Sequence, residues 1–167
     1  MKKNLTAILL AVASVAALPA RAVDSVSAEL GRGEGELNVW RLGMQWNHEP
    51  RFLEGSDWRL YWDASLGGWQ AEGRNVNDLG LTPTFRYSPH RRTFVEAAIG
   101  FHLVSDVHIR HDQSISTRFQ FGDHVGVGYD FGRYDVSVRL QHLSNGGIRQ
   151  PNPGVNFVVL RLQWHLR

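Results

Sequence analysis

Apolar and polar residues alternate along most of the chain after residue 22, which is the period of a β-strand with one apolar face. The alternation runs through eight segments: residues 25–32, 37–46, 58–67, 78–87, 95–103, 119–129, 134–144 and 156–166. A change of phase near Val39 indicates a β-bulge in the second segment. No segment has a convincing helical period, and the sequence contains no repeat. The pattern predicts an all-β fold of eight antiparallel strands.

The two faces of these strands differ in a way that favours a membrane barrel. One face combines small and polar side chains with charged residues in mid-strand, namely Arg41, Arg59, Asp63, Asp78, Arg86, Glu96, Arg139 and Arg161. The other face is apolar and includes five tryptophans, Trp40, Trp46, Trp58, Trp62 and Trp164. A transmembrane barrel has an apolar, aromatic-flanked outer face. We predict an eight-stranded antiparallel transmembrane β-barrel with a polar interior, with a lipocalin-like soluble barrel as the alternative.

The first 22 residues have the composition of a cleaved secretory signal. Two lysines precede an apolar stretch over residues 5–18, and Ala20-Arg21-Ala22 has the small-x-small form of a cleavage site. We expect cleavage of residues 1–22, which leaves one barrel domain over residues 23–167. Without the signal, 15 basic side chains remain against 16 acidic ones, so the formal charge falls from +2 to −1. This balance gives no support to nucleic-acid binding.

The absence of cysteine excludes a disulfide framework, a thiolate metal site and a cysteine nucleophile. Several histidines and aspartates could be assembled as metal ligands, but they lack ligand spacing and most fall in one polar loop. They are His102, Asp106, His108, His111 and Asp112. Glu96 and His124 are expected to be interior hydrogen-bonding partners rather than an acid–base pair. We predict neither a metal nor a cofactor.

A periplasmic N-terminus would fix the direction of every strand in a barrel with an even strand number. The seventh strand then runs outward and ends at the outer leaflet. The connections after the fourth and sixth strands are tight, whereas those after the third, fifth and seventh are longer, as expected of extracellular loops. The long connection after the second strand fits this orientation less well.

The last hairpin places three polar residues at one end of an apolar face. His142 and Ser144 continue the face of the seventh strand, and Asn156 begins the matching face of the eighth. An imidazole can take the proton of a hydroxyl near neutral pH. Asn145, Gly146 and Gly147 follow the serine and could offer N–H groups to an oxyanion. The arrangement suits acyl transfer on a molecule that lies in the membrane; an ordinary interface histidine and loop serine are the alternative.

Residues 142–154, with the sequence His-Leu-Ser-Asn-Gly-Gly-Ile-Arg-Gln-Pro-Asn-Pro-Gly, resemble the C-terminal signature of the PagL family of outer-membrane lipid A 3-O-deacylases. Residues 40–43, 61–63 and 94–100 resemble it more loosely. The resemblance implies a barrel whose outer-leaflet surface hydrolyses the ester-linked 3-O-acyl chain of lipid A in lipopolysaccharide. It implies Ser144 as nucleophile, His142 as base, Asn145 with the next two glycine amides as oxyanion site, and no metal. A homodimer paired through lipid-facing surfaces would suit such a family.

One position departs from the family pattern. The third catalytic residue of the family is a glutamate, and Asn156 occupies its place. An asparagine can hold the imidazole through its amide oxygen but cannot stabilise imidazolium by charge. We therefore expect reduced activity, unless a carboxylate arrives from another loop. The candidates are Glu34, Glu36, Asp106 and Asp112.

Three functions thus remain open at this stage. The first is lipid A 3-O-deacylation by a serine esterase in the outer membrane, with membrane lipids as its surroundings. The second is a non-catalytic outer-membrane barrel used for adhesion or envelope integrity, which the missing glutamate favours. The third is a soluble barrel that binds a small apolar ligand. Arg149 in the last loop is either a contact for a lipid A phosphate or a solvated basic residue.

Overall fold

A computed structural model of the protein describes residues 23–71, 73–90, 92–110 and 113–166. The predicted signal over residues 1–22 lies outside the described residues, as do His111 and Asp112. In the described part of the chain, eight strands form a closed antiparallel barrel, in which each barrel strand pairs with the next one along the chain and the last pairs with the first. The fold predicted from the alternation is confirmed. None of the helical segments in these ranges is long and apolar enough to cross a membrane.

The barrel strands are β1 Ser25–Gly33, β2 Leu37–His48, β3 Trp58–Ala71, β4 Arg74–Tyr87, β5 Thr93–Val104, β8 Phe119–Asp130, β9 Tyr134–Ser144 and β10 Val155–His165. Two short strands, β6 His108–Arg110 and β7 Gln113–Ser114, pair with each other in the loop between β5 and β8. A single 3₁₀ turn, Arg51–Leu53, lies in the connection between β2 and β3. We call the end of the barrel with the β5–β8 and β9–β10 loops the loop end, and the opposite end the turn end.

The barrel interior is a network of paired charges. Arg139 is at its centre, donating from Nη1 to Glu29 at 2.8 Å, from Nε to Glu96 at 2.6 Å and from Nη2 to the Tyr61 hydroxyl at 3.0 Å. Arg161 donates to Glu29 at 3.0 Å. Buried charges are tolerated when they are paired and hydrogen-bonded in this way. The predicted polar interior is confirmed for the body of the barrel.

Most of the mid-strand charges predicted to face inward are buried, including Glu96, and His124 is buried with them. Arg59 is the exception. It lies at the start of β3, at the turn end, and its side chain is exposed. A side chain at the end of a strand can extend past the rim of the barrel, so an inward direction in the alternation is not enough to bury it.

At the loop end the interior is apolar instead. A buried cluster closes this end of the barrel, formed by Leu37, Val39, Trp69, Val76, Val104, Ile109, Ile115, Leu143, Val155, Phe157 and Val159. The predicted bulge near Val39 is wrong, because β2 pairs with β1 and β3 in continuous register through this residue. The change of phase has another cause: Leu37 and Val39 point into the apolar cluster, whereas Leu42 and Met44 point outward.

The predicted long connection after the third strand is also wrong. β3 and β4 pair up to Ala71 and Arg74, so only a tight turn joins them. The extra residues form a hairpin whose Trp69 and Val76 face the apolar cluster while Gln70 and Asn75 are exposed. At the other end, the connections between β4 and β5 and between β8 and β9 are short, as predicted.

Aromatic residues surround the barrel at both ends, as expected where a membrane meets water. At the turn end Tyr129, Phe131, Tyr134 and Trp164 form a continuous row with ring centroids 4.8 to 6.0 Å apart. At the loop end Phe101, Phe119 and Phe121 pack with centroids 5.2 to 6.1 Å apart. Large apolar side chains between these rows are exposed on the outer surface, Leu140, Leu160 and Val125 among them.

Candidate active site

His142, Ser144 and Asn156 lie on the outer surface of β9 and β10, near the loop end. In the register of the sheet His142 stands directly opposite Asn156 of β10 and Asp123 of β8. Ser144 stands opposite Phe121. Leu143, between the two, is 1 % exposed and faces the apolar cluster. The alternation therefore directs His142 and Ser144 away from the barrel axis, as the sequence predicted.

A hydrogen bond of 2.7 Å joins His142 Nδ1 to Asn156 Oδ1. Since an amide oxygen only accepts, the hydrogen must be on Nδ1, which leaves Nε2 with a lone pair. Nε2 is the nitrogen that could take a proton from a hydroxyl. The imidazole lies against Gly154, where an added Cβ would overlap the ring. Counting on from the pair of Leu143 and Val155, Gly154 is the position across from Ser144. Among the described residues, no hydrogen bond joins the imidazole to the Ser144 hydroxyl.

A carboxylate supports Asn156 from the far end of the chain. Asn156 Nδ2 donates to Glu34 Oε1 at 2.8 Å, and the backbone N–H of Glu34 donates to the Asn156 carbonyl at 3.2 Å. Glu34 lies in the turn between β1 and β2, which closure of the barrel places beside β10. Of the carboxylates that the sequence offered as substitutes, the structure brings Glu34 to the site.

An open groove adjoins these residues on the outer surface. Val125, Leu140 and Val158 form its apolar floor, one residue from each of three neighbouring strands. Arg32, Glu34, Asp123, His142 and Asn156 line its polar side. An apolar floor beside a polar row fits a molecule with an acyl chain and a polar head. Asp123 was visible in the sequence as an interruption of the apolar face, whereas no sequence signal marked Arg32.

The loop over residues 145–154 is held by the Asn145 side chain, which is fully buried. Its Nδ2 donates to the carbonyls of Ile115 at 2.9 Å and Arg149 at 2.7 Å, and its Oδ1 accepts from Gly147 N at 2.9 Å. Its own backbone N–H donates to Asn152 Oδ1 at 3.0 Å. In this conformation Asn145 and Gly147 thus maintain the shape of the loop. Of the three predicted oxyanion donors, the Gly146 N–H is without a hydrogen bond among the described residues.

The other metal-ligand candidates that the structure describes lie in two places, inside the barrel and in the β5–β8 loop. His102 is buried inside the barrel, where its Nδ1 lies 2.8 Å from Asp78 Oδ1. His108 pairs with Asp106 at 3.0 Å in the exposed β5–β8 loop. Within the ranges that the structure describes, no three acidic, histidine or cysteine residues are grouped as metal ligands. The Arg149 side chain is exposed, and its contact with a phosphate stays a prediction.

Comparison with known proteins agrees with the geometry. The family model described as "Lipid A 3-O-deacylase (PagL)" matches residues 39–165. A curated relative, the lipid A deacylase PagL of Pseudomonas aeruginosa, is 35 % identical over 93 % of this chain and 94 % of its own length. The lipid A deacylase PagL of Bordetella bronchiseptica is 32 % identical over 96 % and 95 % of the two chains.

A solved structure, that of the outer membrane enzyme PagL, superposes with a TM-score of 0.73 at 32 % identity and covers 84 % of this chain and 98 % of that one. The closed barrel and its apolar outer face are consistent with this match, which extends over most of the sequence. The chain therefore belongs to the lipid A 3-O-deacylase (PagL) family of outer-membrane hydrolases.

Proposed function

We propose that this protein is a serine esterase that hydrolyses the ester-linked 3-O-acyl chain of lipid A, with its loop end in the outer leaflet of the outer membrane. The observation that supports this most directly is the 2.7 Å hydrogen bond between His142 Nδ1 and Asn156 Oδ1. It orients an imidazole two residues from Ser144, on the face of β9 that meets the lipid. A substrate anchored in the membrane by its acyl chains would reach this face, whereas the closed, charge-filled interior offers it no path.

The substrate would lie in the groove beside His142. Its acyl chain would pack on Val125, Leu140 and Val158, and its polar head would face the loop end, where Arg32 lines the groove. The ester bond joins the apolar and polar parts of the molecule, so it would stand at the level of Ser144. Each methylene that packs on the apolar floor adds little to the binding free energy, because the same methylene would otherwise be surrounded by lipid. The groove therefore positions the chain more than it binds it.

The chemistry would proceed through an acyl-enzyme. Ser144 Oγ attacks the ester carbonyl carbon while His142 Nε2 takes the hydroxyl proton. The tetrahedral oxyanion accepts a hydrogen bond from the Gly146 N–H, and small shifts in the loop would add the predicted donors Asn145 and Gly147. Collapse breaks the ester bond, and His142 returns the proton to the departing sugar oxygen. Water, deprotonated by the same imidazole, then releases the fatty acid and restores the serine.

Asn156 supports the imidazole without a charge of its own. We propose that turnover is lower than a carboxylate in direct contact with His142 would give, because a neutral amide cannot stabilise by charge the imidazolium that forms when His142 takes the proton. The proposal needs no metal and no cofactor. A homodimer paired through lipid-facing strands stays a prediction.

Mass spectrometry of lipid A tests the proposal. Bacteria with a 3-O-acylated lipid A would express the wild-type chain or Ser144→Ala, with barrel folding checked by the heat-dependent shift in gel migration. We expect lipid A lacking one acyl chain only with the wild type, and a loss of at least ~10³-fold in rate for the variant. Identical spectra for wild type and empty vector would favour a non-catalytic barrel. Full activity of Ser144→Ala would assign the chemistry to another residue.

A further inference from the structure

We propose that Glu34 is a positioning residue that fixes the amide orientation of Asn156 and, through it, the tautomer of His142. This inference rests on the proposed serine esterase function and deepens it. It assigns a role to a carboxylate 122 residues away from Asn156 in the sequence. It also accounts for a site in which an asparagine replaces the glutamate of the family.

The turn that carries Glu34 is fixed against β10 by the backbone. β1 pairs with β10 up to Gly33 and Phe157, and Glu34 N donates to the Asn156 carbonyl at 3.2 Å. At Gly33 an added Cβ would lie 2.7 Å from that carbonyl oxygen and 2.8 Å from the Phe157 ring. Only a residue without a side chain permits this approach. Barrel closure therefore fixes the backbone of Glu34 beside Asn156, within reach of its exposed carboxylate.

The chemistry of the amide makes the carboxylate decisive. An asparagine side chain can turn either its oxygen or its NH₂ group toward the imidazole, and the two faces select opposite tautomers. If the NH₂ group faced Nδ1, the proton would move to Nε2 and the base would be lost, as in an Asp-to-Asn serine triad. An ionised carboxylate only accepts. Glu34 therefore draws the NH₂ group of Asn156 toward itself, which turns Oδ1 toward His142 and keeps the lone pair on Nε2.

The other nearby carboxylates do not make this contact. Glu36, two residues further along the same turn, is exposed, and its side chain has no hydrogen bond among the described residues. Asp123 stands opposite His142 on the β8 side, but the imidazole bonds to Asn156 on the β10 side. Glu34 and Glu36 thus offer the same charge at neighbouring positions, and one of them touches Asn156.

Deacylation kinetics on purified protein in mixed micelles separate these residues. Glu34→Gln removes the charge and allows the amide of Asn156 to turn, so we expect kcat to fall about tenfold while KM changes less than about twofold. Glu34→Ala should lower kcat further. Glu36→Gln, the matched control with the same change of charge in the same turn, should retain the wild-type kcat. Equal kcat values for wild type and Glu34→Gln would overturn the inference.

A second background supplies a signature that general destabilisation would not produce. In Asn156→Glu the side chain at 156 has no amide to orient, and a second carboxylate beside it is repulsive. We therefore expect kcat of Asn156→Glu to exceed the wild type and to stay equal or rise when Glu34→Gln is added. A tenfold fall on adding Glu34→Gln in this background would show that Glu34 acts in some other way.

Nitrogen-15 NMR of His142 tests the inference independently of turnover. The measurement uses ¹⁵N-labelled histidine in micelles and two variants. In Ser144→Ala we expect the neutral His142 ring to be the Nδ1–H tautomer. In the double variant Ser144→Ala with Glu34→Gln we expect the Nε2–H tautomer to be populated as well. An unchanged tautomer would overturn the role of Glu34 even if the protein is an active esterase. If the tautomer changes as expected but the wild-type chain has no deacylase activity, the role of Glu34 stands and the proposed function is rejected.

Discussion

The two faces of the last hairpin both carry hydrogen-bonded polar side chains, but these serve different purposes. On the inner face Arg139 donates to two carboxylates and a phenol, and Arg161 bonds both Glu29 and Asp63. On the outer face His142, Asn156 and Glu34 form a single row that ends at His142 Nε2. The inner network joins buried charges to one another, whereas the outer row ends at the nitrogen that the proposed mechanism offers to a substrate.

The difference follows from the surroundings of each face. Inside the barrel Arg139 and Arg161 are fully buried, so loss of a carboxylate partner costs stability. Outside, near the level of the lipid head groups, an unpaired lone pair costs little and can do chemistry. In the proposed mechanism, stability therefore depends on one face of β9 and β10 and reactivity on the other. Substitutions on the two faces should separate the two properties.

The largest expected effect is on stability, from Arg139→Ala. Removal of this guanidinium leaves Glu29 and Glu96 buried with fewer partners, which costs on the order of 3–5 kcal/mol in the free energy of unfolding. Urea unfolding in lipid vesicles, followed by tryptophan fluorescence, measures it. Arg149→Ala, which removes the same group from an exposed loop position, should change stability by less than ~0.5 kcal/mol. Equal effects of the two variants would mean that the interior network does not stabilise the barrel.

A smaller effect, measured on activity, is expected from Gly154→Ala. The new methyl group would overlap the His142 imidazole, and we expect a fall of roughly 10- to 100-fold in kcat, equivalent to about 1.4–2.7 kcal/mol on the barrier. Gly55→Ala is the matched control. Its φ of 75° is close to the 71° of Gly154, but nothing lies within 4 Å of the added Cβ. Similar activities of the two variants would show that strain at positive φ, rather than contact with the ring, is what matters.

The smallest effect is expected from Asp106→Asn, which removes a carboxylate of the β5–β8 loop. Asp106 accepts from the backbone N–H of His108 at 2.9 Å, and its pKa is lowered by that bond and by the His108 side chain. Both side chains are about half exposed, so solvent screens the pair and its removal should cost less than ~1 kcal/mol. Deacylase activity should be unchanged. A clear loss of activity would instead connect this loop to the site through the contact between Ile115 and Asn145.

Local alternation predicted much of the fold because side-chain direction in a strand is a property of each successive residue. The number of strands and the outward faces of His142 and Ser144 needed nothing else. The same rule failed where the surroundings of the strands change. Toward the loop end the apolar side of β2, β3 and β4 turns inward, as at Val39, Trp69 and Val76, while polar residues such as Asn75 face outward. A rule that assumed one environment along each strand therefore placed a bulge at Val39 and a loop after the third strand.

The candidate site divides in a similar way. His142, Ser144 and Asn156 could be placed on one surface from the sequence, since the hairpin that joins them is local. The buried Asn145 side chain could not be anticipated in the same way, because its partners include Ile115 in a different loop. The sequence pointed to its amide as an oxyanion donor, and the loop packing uses that amide to hold the backbone of residues 145–154.

The sequence by itself determined the alternating faces, the barrel class and the histidine and serine of the site. These depend on backbone geometry and composition within a few residues. Tertiary structure alone decided that Glu34 lies against Asn156, because only the closure of β10 onto β1 joins the two ends of the chain. It also decided which way the amide of Asn156 points. The sequence offered Glu34 as one of four carboxylates for the place beside Asn156, and barrel closure brought it there.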